Sequence, residues 1–173
     1  MTIVVEDGTG LSNAVSYATV AQYKAYCDAR GISYSGVTDA VIEQSLVKST
    51  DAMVQMYRAR WKGYRNTATQ ALDWPRSMVY LEPFVFGAVG SYPYLVDDAT
   101  VPTEVINACI KLAIEVQSAD LITNLEPAVI REKIDVIEVE YDINALPYTQ
   151  YRAVDLMLQP FLSGGNGQLP IVR

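Results

Sequence analysis

Apolar positions recur at three- and four-residue spacing in four stretches of the chain and at two-residue spacing in another. The first helical stretch opens at Thr19, where Gln22 completes a capping-box pattern and Tyr23, Tyr26 and Cys27 form the apolar side. Gly31 supplies a left-handed stop, so a helix is expected over about 19–30. Thr38 and Asp39 open a second, whose stripe of Ile42, Leu46, Met53, Met56, Tyr57 and Trp61 predicts continuation to about residue 62. Pro102 and Glu104 start a third, and Val105, Ile106, Cys109, Leu112, Ala113 and Val116 carry it to near Leu121. Tyr151, Val154, Leu158 and Leu162 mark a fourth within 148–162.

The two-residue period falls in 129–143, where Ile130, Glu132, Ile134 and then Ile137, Glu138, Val139, Glu140, Tyr141 predict two strands with a turn around Asp135. Ile3 to Val5 is a short extended run that turns through Asp7 to Gly10. Between 78 and 101 helical periodicity lapses, and Tyr80, Phe84, Phe86, Tyr92 and Tyr94 alternate with Pro83, Gly87, Gly90 and Pro93. That stretch reads as a hairpin arm with its turn near Gly87 to Ser91, packed on its own subunit or on a neighbour. The tail from Ser163 is glycine-rich and then apolar, either flexible or docked as a strand on another chain. The expected fold is therefore mainly α: a small bundle of about four helices with one or two β-hairpin or arm elements. It forms a single domain over 1–173, with an extended arm at 78–101 and a flexible tail at 163–173.

Composition narrows the chemistry. Half of the 173 residues are apolar, enough for a sizeable core, and the net charge is −7 with a pI near 4.5. Contact with nucleic acid must therefore be local or weak, although an acidic wall also suits a passage through which DNA slides. The absence of histidine removes the commonest general base and zinc ligand, and with it every triad built on histidine. Cys27 and Cys109 lie far apart in apolar helical patterns, which points to buried reduced thiols in a reducing compartment. Gly8-Thr9-Gly10 lacks the lysine of a phosphate loop and reads as a turn; Glu138 and Glu140 read as a wet strand face rather than a catalytic pair. No enzymatic activity, catalytic residue, cofactor or metal is expected. No apolar run approaches the roughly twenty residues of a membrane span, and no basic leader is present, so a soluble, unexported protein is expected.

One block departs from the acidic background. Tyr57 to Ser77 holds both tryptophans and five of the thirteen basic residues, Arg58, Arg60, Lys62, Arg65 and Arg76, against one acid, Asp73. It carries +4 while the remainder sums to −11. Such a block either meets a polyanion or acidic partner, or is a junction whose rings anchor a core while its cations stay solvated. Continued helical spacing would put Arg58, Lys62 and Arg65 along one side and Tyr57, Trp61 and Tyr64 on an adjacent one. Pro75 pushes Trp74 towards an extended backbone, and Trp61, Trp74 and Pro75 are assigned to organising the fold.

Five segments, in order, carry a family resemblance: VEDGTGLSNAVSY (5–17), RWKGYRNTATQALDWPRS (60–77), VPTEVINACIKLAIE (101–115), IEVEY (137–141) and YRAVDLMLQPFLSGG (151–165). Together they resemble tailed-phage and prophage proteins described either as head-tail connectors, or neck adaptors, or as DnaT-like single-stranded-DNA-binding proteins. RWKG and WPRS are the specific motifs; the stretch 78–101 is longer and more aromatic than the family pattern. The connector description, the main expectation, implies a neck-adaptor-like bundle assembled as a ring, commonly dodecameric, below the portal. Its partners would be further copies of itself, the portal protein, the next neck or tail-completion protein, and genomic DNA passing through the channel without sequence-specific binding. No membrane is involved, and the location would be the virion neck after assembly in the host cytoplasm. Arg58, Arg60, Lys62, Arg65, Arg76, Tyr80, Phe84, Phe86, Tyr92 and Tyr94 are then the candidate subunit or partner interface. The DnaT-like description, the alternative, implies that Trp61, Tyr64 and Trp74 stack on bases while the same cations follow the backbone.

Overall fold

A computed structural model describes residues 3–81, 94–118, 121, 131–134, 137–140 and 151–163. The described residues form four α-helices, α1 (Val20–Asp28), α2 (Asp39–Tyr57), α3 (Thr103–Val116) and α4 (Arg152–Leu158), with two short antiparallel strand pairs. The fold is mainly α, as the spacing predicts. The Thr19 hydroxyl accepts from the Gln22 amide at 3.1 Å while Gln22 Oε1 accepts from the Thr19 amide at 2.8 Å, so the capping box forms. Gly31 follows α1 at φ +63°, the left-handed stop read from the sequence.

The long α3 lies against α2, α4 and α1. Ile42, Leu46, Met53 and Tyr57 of α2 meet Val105, Ile110 and Leu112 of α3, and Val154 and Leu158 of α4, in one buried cluster. Burying each such side chain contributes about 1.5–3 kcal/mol, so the bundle rather than the strands supplies most of the stability. Cys27 and Cys109 are free and buried. The Ser49 and Thr50 hydroxyls donate to the Leu46 carbonyl at 2.9 Å each, and Cys109 Sγ sits 3.2 Å from Ser49 Oγ and 3.3 Å from Thr50 Oγ1.

The strand pairs are β1 (Tyr64–Arg65) with β2 (Arg76–Ser77), and β3 (Arg131–Ile134) with β4 (Ile137–Glu140). Ile134 lies opposite Ile137, the hairpin register that the two-residue alternation predicts. Leu81 donates its amide to the Tyr94 carbonyl and Val96 to that of Val79, both at 2.9 Å, so the two ends of the 78–101 arm pair antiparallel. Its expected turn, with Phe84, Phe86 and Tyr92, lies outside the described residues, as does the tail after Ser163.

Two helices are shorter than expected. α2 stops at Tyr57 instead of continuing to about 62, because the Arg60 amide turns back to the Tyr57 carbonyl at 2.8 Å and Trp61 leaves to form an antiparallel bridge with Leu162. The bridge removes Trp61 and Tyr64 from the helix, so Tyr57, Trp61 and Tyr64 share no helical face and Arg58, Lys62 and Arg65 do not line one side. α3 stops at Val116 rather than near Leu121, where Gln117 and Ser118 close three-residue turns on Ile114 and Glu115. Gln117 Nε2 then donates to the Tyr23 hydroxyl at 3.0 Å, tying the end of α3 to α1.

Candidate nucleic-acid interface

The aromatic and basic block is built around its tryptophans. Once α2 has ended, Trp61 faces inward and packs edge-on against Trp74 with ring centroids 5.6 Å apart; Trp74 meets Phe161 in the same way at 5.6 Å. Tyr57 continues the series, 5.9 Å from Trp61. Edge-to-face contacts of this kind add about 0.5–1.5 kcal/mol each beyond the area they bury. Trp74 is 0% exposed, Pro75 beside it is buried, and the peptide between them is cis. Neither indole presents a face to an incoming base, so the stacking role that the DnaT-like description implied for Trp61 and Trp74 is not available to them.

The five cations of the block have different surroundings. Arg76 is buried, and its guanidinium donates to the carbonyls of Lys62 at 2.7 Å, Gly63 at 2.7 Å and Asp73 at 3.2 Å. It bolts the start of β2 to the turn before β1. Burial lowers the Arg76 pKa from its ordinary value, and the neighbouring Asp73 charge opposes that shift. Arg58 Nε donates to the buried Asp73 carboxylate at 3.0 Å. Arg60 lies 3.8 Å from Asp155 on α4, whose carboxylate also accepts the Tyr57 hydroxyl at 2.9 Å. Lys62 Nζ donates to the carbonyls of Pro160 at 2.7 Å and Tyr80 at 3.3 Å, and the exposed Arg65 donates to the Gln70 carbonyl at 3.3 Å.

Backbone contacts make the block one unit with the C-terminal segment. The Lys62 amide donates to the Phe161 carbonyl at 2.9 Å, and the Ser163 hydroxyl to that of Arg60 at 2.8 Å, so the RWKG and QPFLS motifs lie side by side. Gly63 permits the turn between them and β1: it sits at φ +65°, and a Cβ there would fall 2.1 Å from the Ser77 carbonyl. The loop between β1 and β2 is held by Thr67 and Gln70, whose side-chain oxygens each accept from the other's backbone amide at 3.0 Å, while Gln70 Nε2 donates to the carbonyls of Leu72 and Pro75. Beneath it the buried Tyr17 hydroxyl accepts from the amides of Asp73 at 3.0 Å and Trp74 at 3.3 Å.

What remains exposed is a ribbon. Segment 76–81 is flanked by β1 through Tyr64 and Arg65 and by 94–96 through the Tyr80–Leu95 bridge. Tyr64 is 74% exposed and Tyr94 66%, and Met78, Leu81 and Leu95 are exposed with them. Five of the nine large hydrophobic side chains exposed among the described residues thus belong to this ribbon. Asn66 joins its two flanks, accepting from Ser77 Oγ at 2.6 Å and donating to the Asp98 carbonyl. Tyr80 itself is half-buried. Sequence reasoning named Tyr64 and Tyr94 but missed Met78, Leu81 and Leu95, whose exposure no local pattern signals. Thr67 and Gln70 did carry a signal, the same T-x-x-Q spacing that opens α1.

A family model described as "putative DnaT-like ssDNA binding protein" matches residues 1–173, the whole chain. The chain belongs to this family. Of the two descriptions that the sequence resembles, the DnaT-like one is therefore the one supported, and nothing found supports the neck-adaptor assignment. Neither the curated proteins nor the solved structures compared with the DnaT-like chain include a match. Among the described residues, no group of three or more acidic or cysteine side chains is placed to hold a metal ion, and no helix is long and apolar enough to cross a membrane.

The buried tyrosines at the foot of the site make stability depend on pH. Burial, reinforced by Asp73, holds the Tyr17 hydroxyl far above its ordinary value of 10.0, and burial with Asp155 does the same to Tyr57. The unfolded chain releases these protons near pH 10 and the folded chain keeps them, so their contribution is intact below that pH and is lost above it. Unfolding free energies from urea titrations at rising pH should fall beyond about pH 10, with a slope of up to about 1.4 kcal/mol per pH unit for each tyrosine. Tyr17→Phe and Tyr57→Phe should each flatten that slope, whatever they do to stability at neutral pH.

Proposed function

We propose that this DnaT-like protein binds single-stranded DNA through the ribbon formed by β1, segment 76–81 and 94–96. The observation that carries the proposal is the family match over the whole chain. The ribbon supports it, because the rings of Tyr64 and Tyr94 are exposed along it, Arg65 follows Tyr64 in β1, and Lys62 reaches the Tyr80 carbonyl. Aromatic rings stack on unpaired bases whatever their sequence, at about 1–3 kcal/mol per base, while cations meet the phosphates. A duplex hides its base faces and presents a denser line of phosphate, for which a chain of charge −7 is poorly suited. The role is binding, without catalysis.

Fluorescence anisotropy with a short labelled oligothymidylate tests this. Saturable binding at near-physiological salt, much weaker for a duplex of the same length, is expected; no binding even at low salt would overturn it. A connector role, with ring assembly on a portal, is a second reading that the exposed Met78, Leu81 and Leu95 favour, since aliphatic side chains suit a protein seam better than a base. A closed oligomer of fixed mass that ignores the oligonucleotide would support it instead.

A further inference from the structure

We infer that the single strand is held mainly by Tyr64 and Tyr94 stacking on bases, with Arg65 and Lys62 as its two phosphate contacts, so that binding is only weakly sensitive to salt. The inference rests on the proposed DNA-binding reading and goes further by dividing the basic block into cations that meet phosphate and cations that are buried or already face a carboxylate. By composition alone all five would serve as phosphate ligands. Their contacts say otherwise. Arg76 is buried and its three hydrogen bonds go to main-chain carbonyls, while Arg58 and Arg60 face the carboxylates of Asp73 and Asp155. Lys62 and Arg65 donate instead to neutral carbonyls, and among the described residues neither is within ion-pair distance of a carboxylate. Both border the ribbon that carries the exposed rings. Asp97 and Asp98 are exposed next to 94–96, where Asn66, the neighbour of Arg65, donates to the Asp98 carbonyl; they repel phosphate, which limits further backbone contacts there. Rings, being uncharged, pay no such penalty.

The consequence is quantitative. For single strands the logarithm of affinity falls with the logarithm of salt at about −0.7 per phosphate neutralised. Two contacts give a slope near −1.4, so affinity falls only about sevenfold between about 50 and about 200 mM salt. Five contacts would give about −3.5 and a loss of roughly 130-fold over the same range.

The test is an anisotropy titration of the full-length protein with labelled oligothymidylate across that salt range, for the wild type and for variants shown by circular dichroism to be folded. We expect a slope near −1.4, a loss of about tenfold in affinity for each of Tyr64→Ala and Tyr94→Ala, a clearly smaller loss where phenylalanine keeps the ring at either position, and near-wild-type binding for Arg58→Gln. Binding with a slope near −3.5, or binding that survives both alanine substitutions, overturns the inference and leaves the DNA-binding reading standing. A wild type that takes up no oligonucleotide at low salt overturns the reading itself and the inference with it.

Discussion

Trp74→Ala is expected to lower the free energy of unfolding by about 3–5 kcal/mol, the range for deleting a fully buried large aromatic side chain. The indole is 0% exposed and lies between Trp61 and Phe161, so its loss leaves a cavity where the turn after α2, the loop before β2 and the segment after α4 meet. These parts are far apart in sequence, and relaxation of one cannot refill the space for all three. Urea denaturation followed by circular dichroism measures the effect. Trp74→Phe, which keeps a ring in the site, should lose clearly less. A change below about 1 kcal/mol for the alanine variant would mean that the tryptophans are not the anchor described above.

Arg76→Met is the second large effect, expected to cost about 3–5 kcal/mol, as when one member of a buried charged network is removed. It strips the donors from the carbonyls of Lys62, Gly63 and Asp73 and takes a positive charge from beside the buried Asp73 carboxylate. Arg76→Lys should not rescue it, since one ammonium cannot span carbonyls that a planar fork reaches together. Arg60→Gln, on an exposed pair with Asp155, should change stability by no more than about 1 kcal/mol. Because Arg76 ties the turn before β1 to β2, oligonucleotide binding should weaken along with stability in Arg76→Met. Equal stability of the methionine variant and the wild type would contradict the structural role given to this arginine.

Much of this was legible in the sequence where the relevant physics is local. The capping box at Thr19 and Gln22, the stop at Gly31 and the antiparallel pairing of 131–134 with 137–140 depend on neighbours a few residues apart, and all three are found; the turn expected around Asp135 lies outside the described residues. The end of α2 was not legible, because it is set by a partner about a hundred residues away: Trp61 bridges to Leu162 and Lys62 to Phe161. The helical period of Tyr57, Trp61 and Tyr64 is real in the sequence, but tertiary pairing overrides it.

The site divides along the same line. The block 57–77 stands out by charge, and the chain does bring Arg58, Arg60, Lys62, Arg65 and Arg76 around one aromatic junction. What composition could not convey is how each cation is engaged. Asp73 is a neighbour in sequence, yet Asp155 and the carbonyls of Tyr80 and Pro160 reach the block only through folding. Nor could the sequence tell which rings remain outside, because Trp61 and Tyr64 differ by three positions and end in opposite environments.

Native mass spectrometry of the full chain, with and without a short single-stranded oligonucleotide at near-physiological ionic strength, tests the central claim most directly. Single-stranded DNA binding predicts a mass increase of one oligonucleotide per binding unit, diminished in Tyr64→Ala and Tyr94→Ala. A closed oligomer whose mass is unchanged by the oligonucleotide would contradict that claim and make the exposed ribbon a seam between protein subunits.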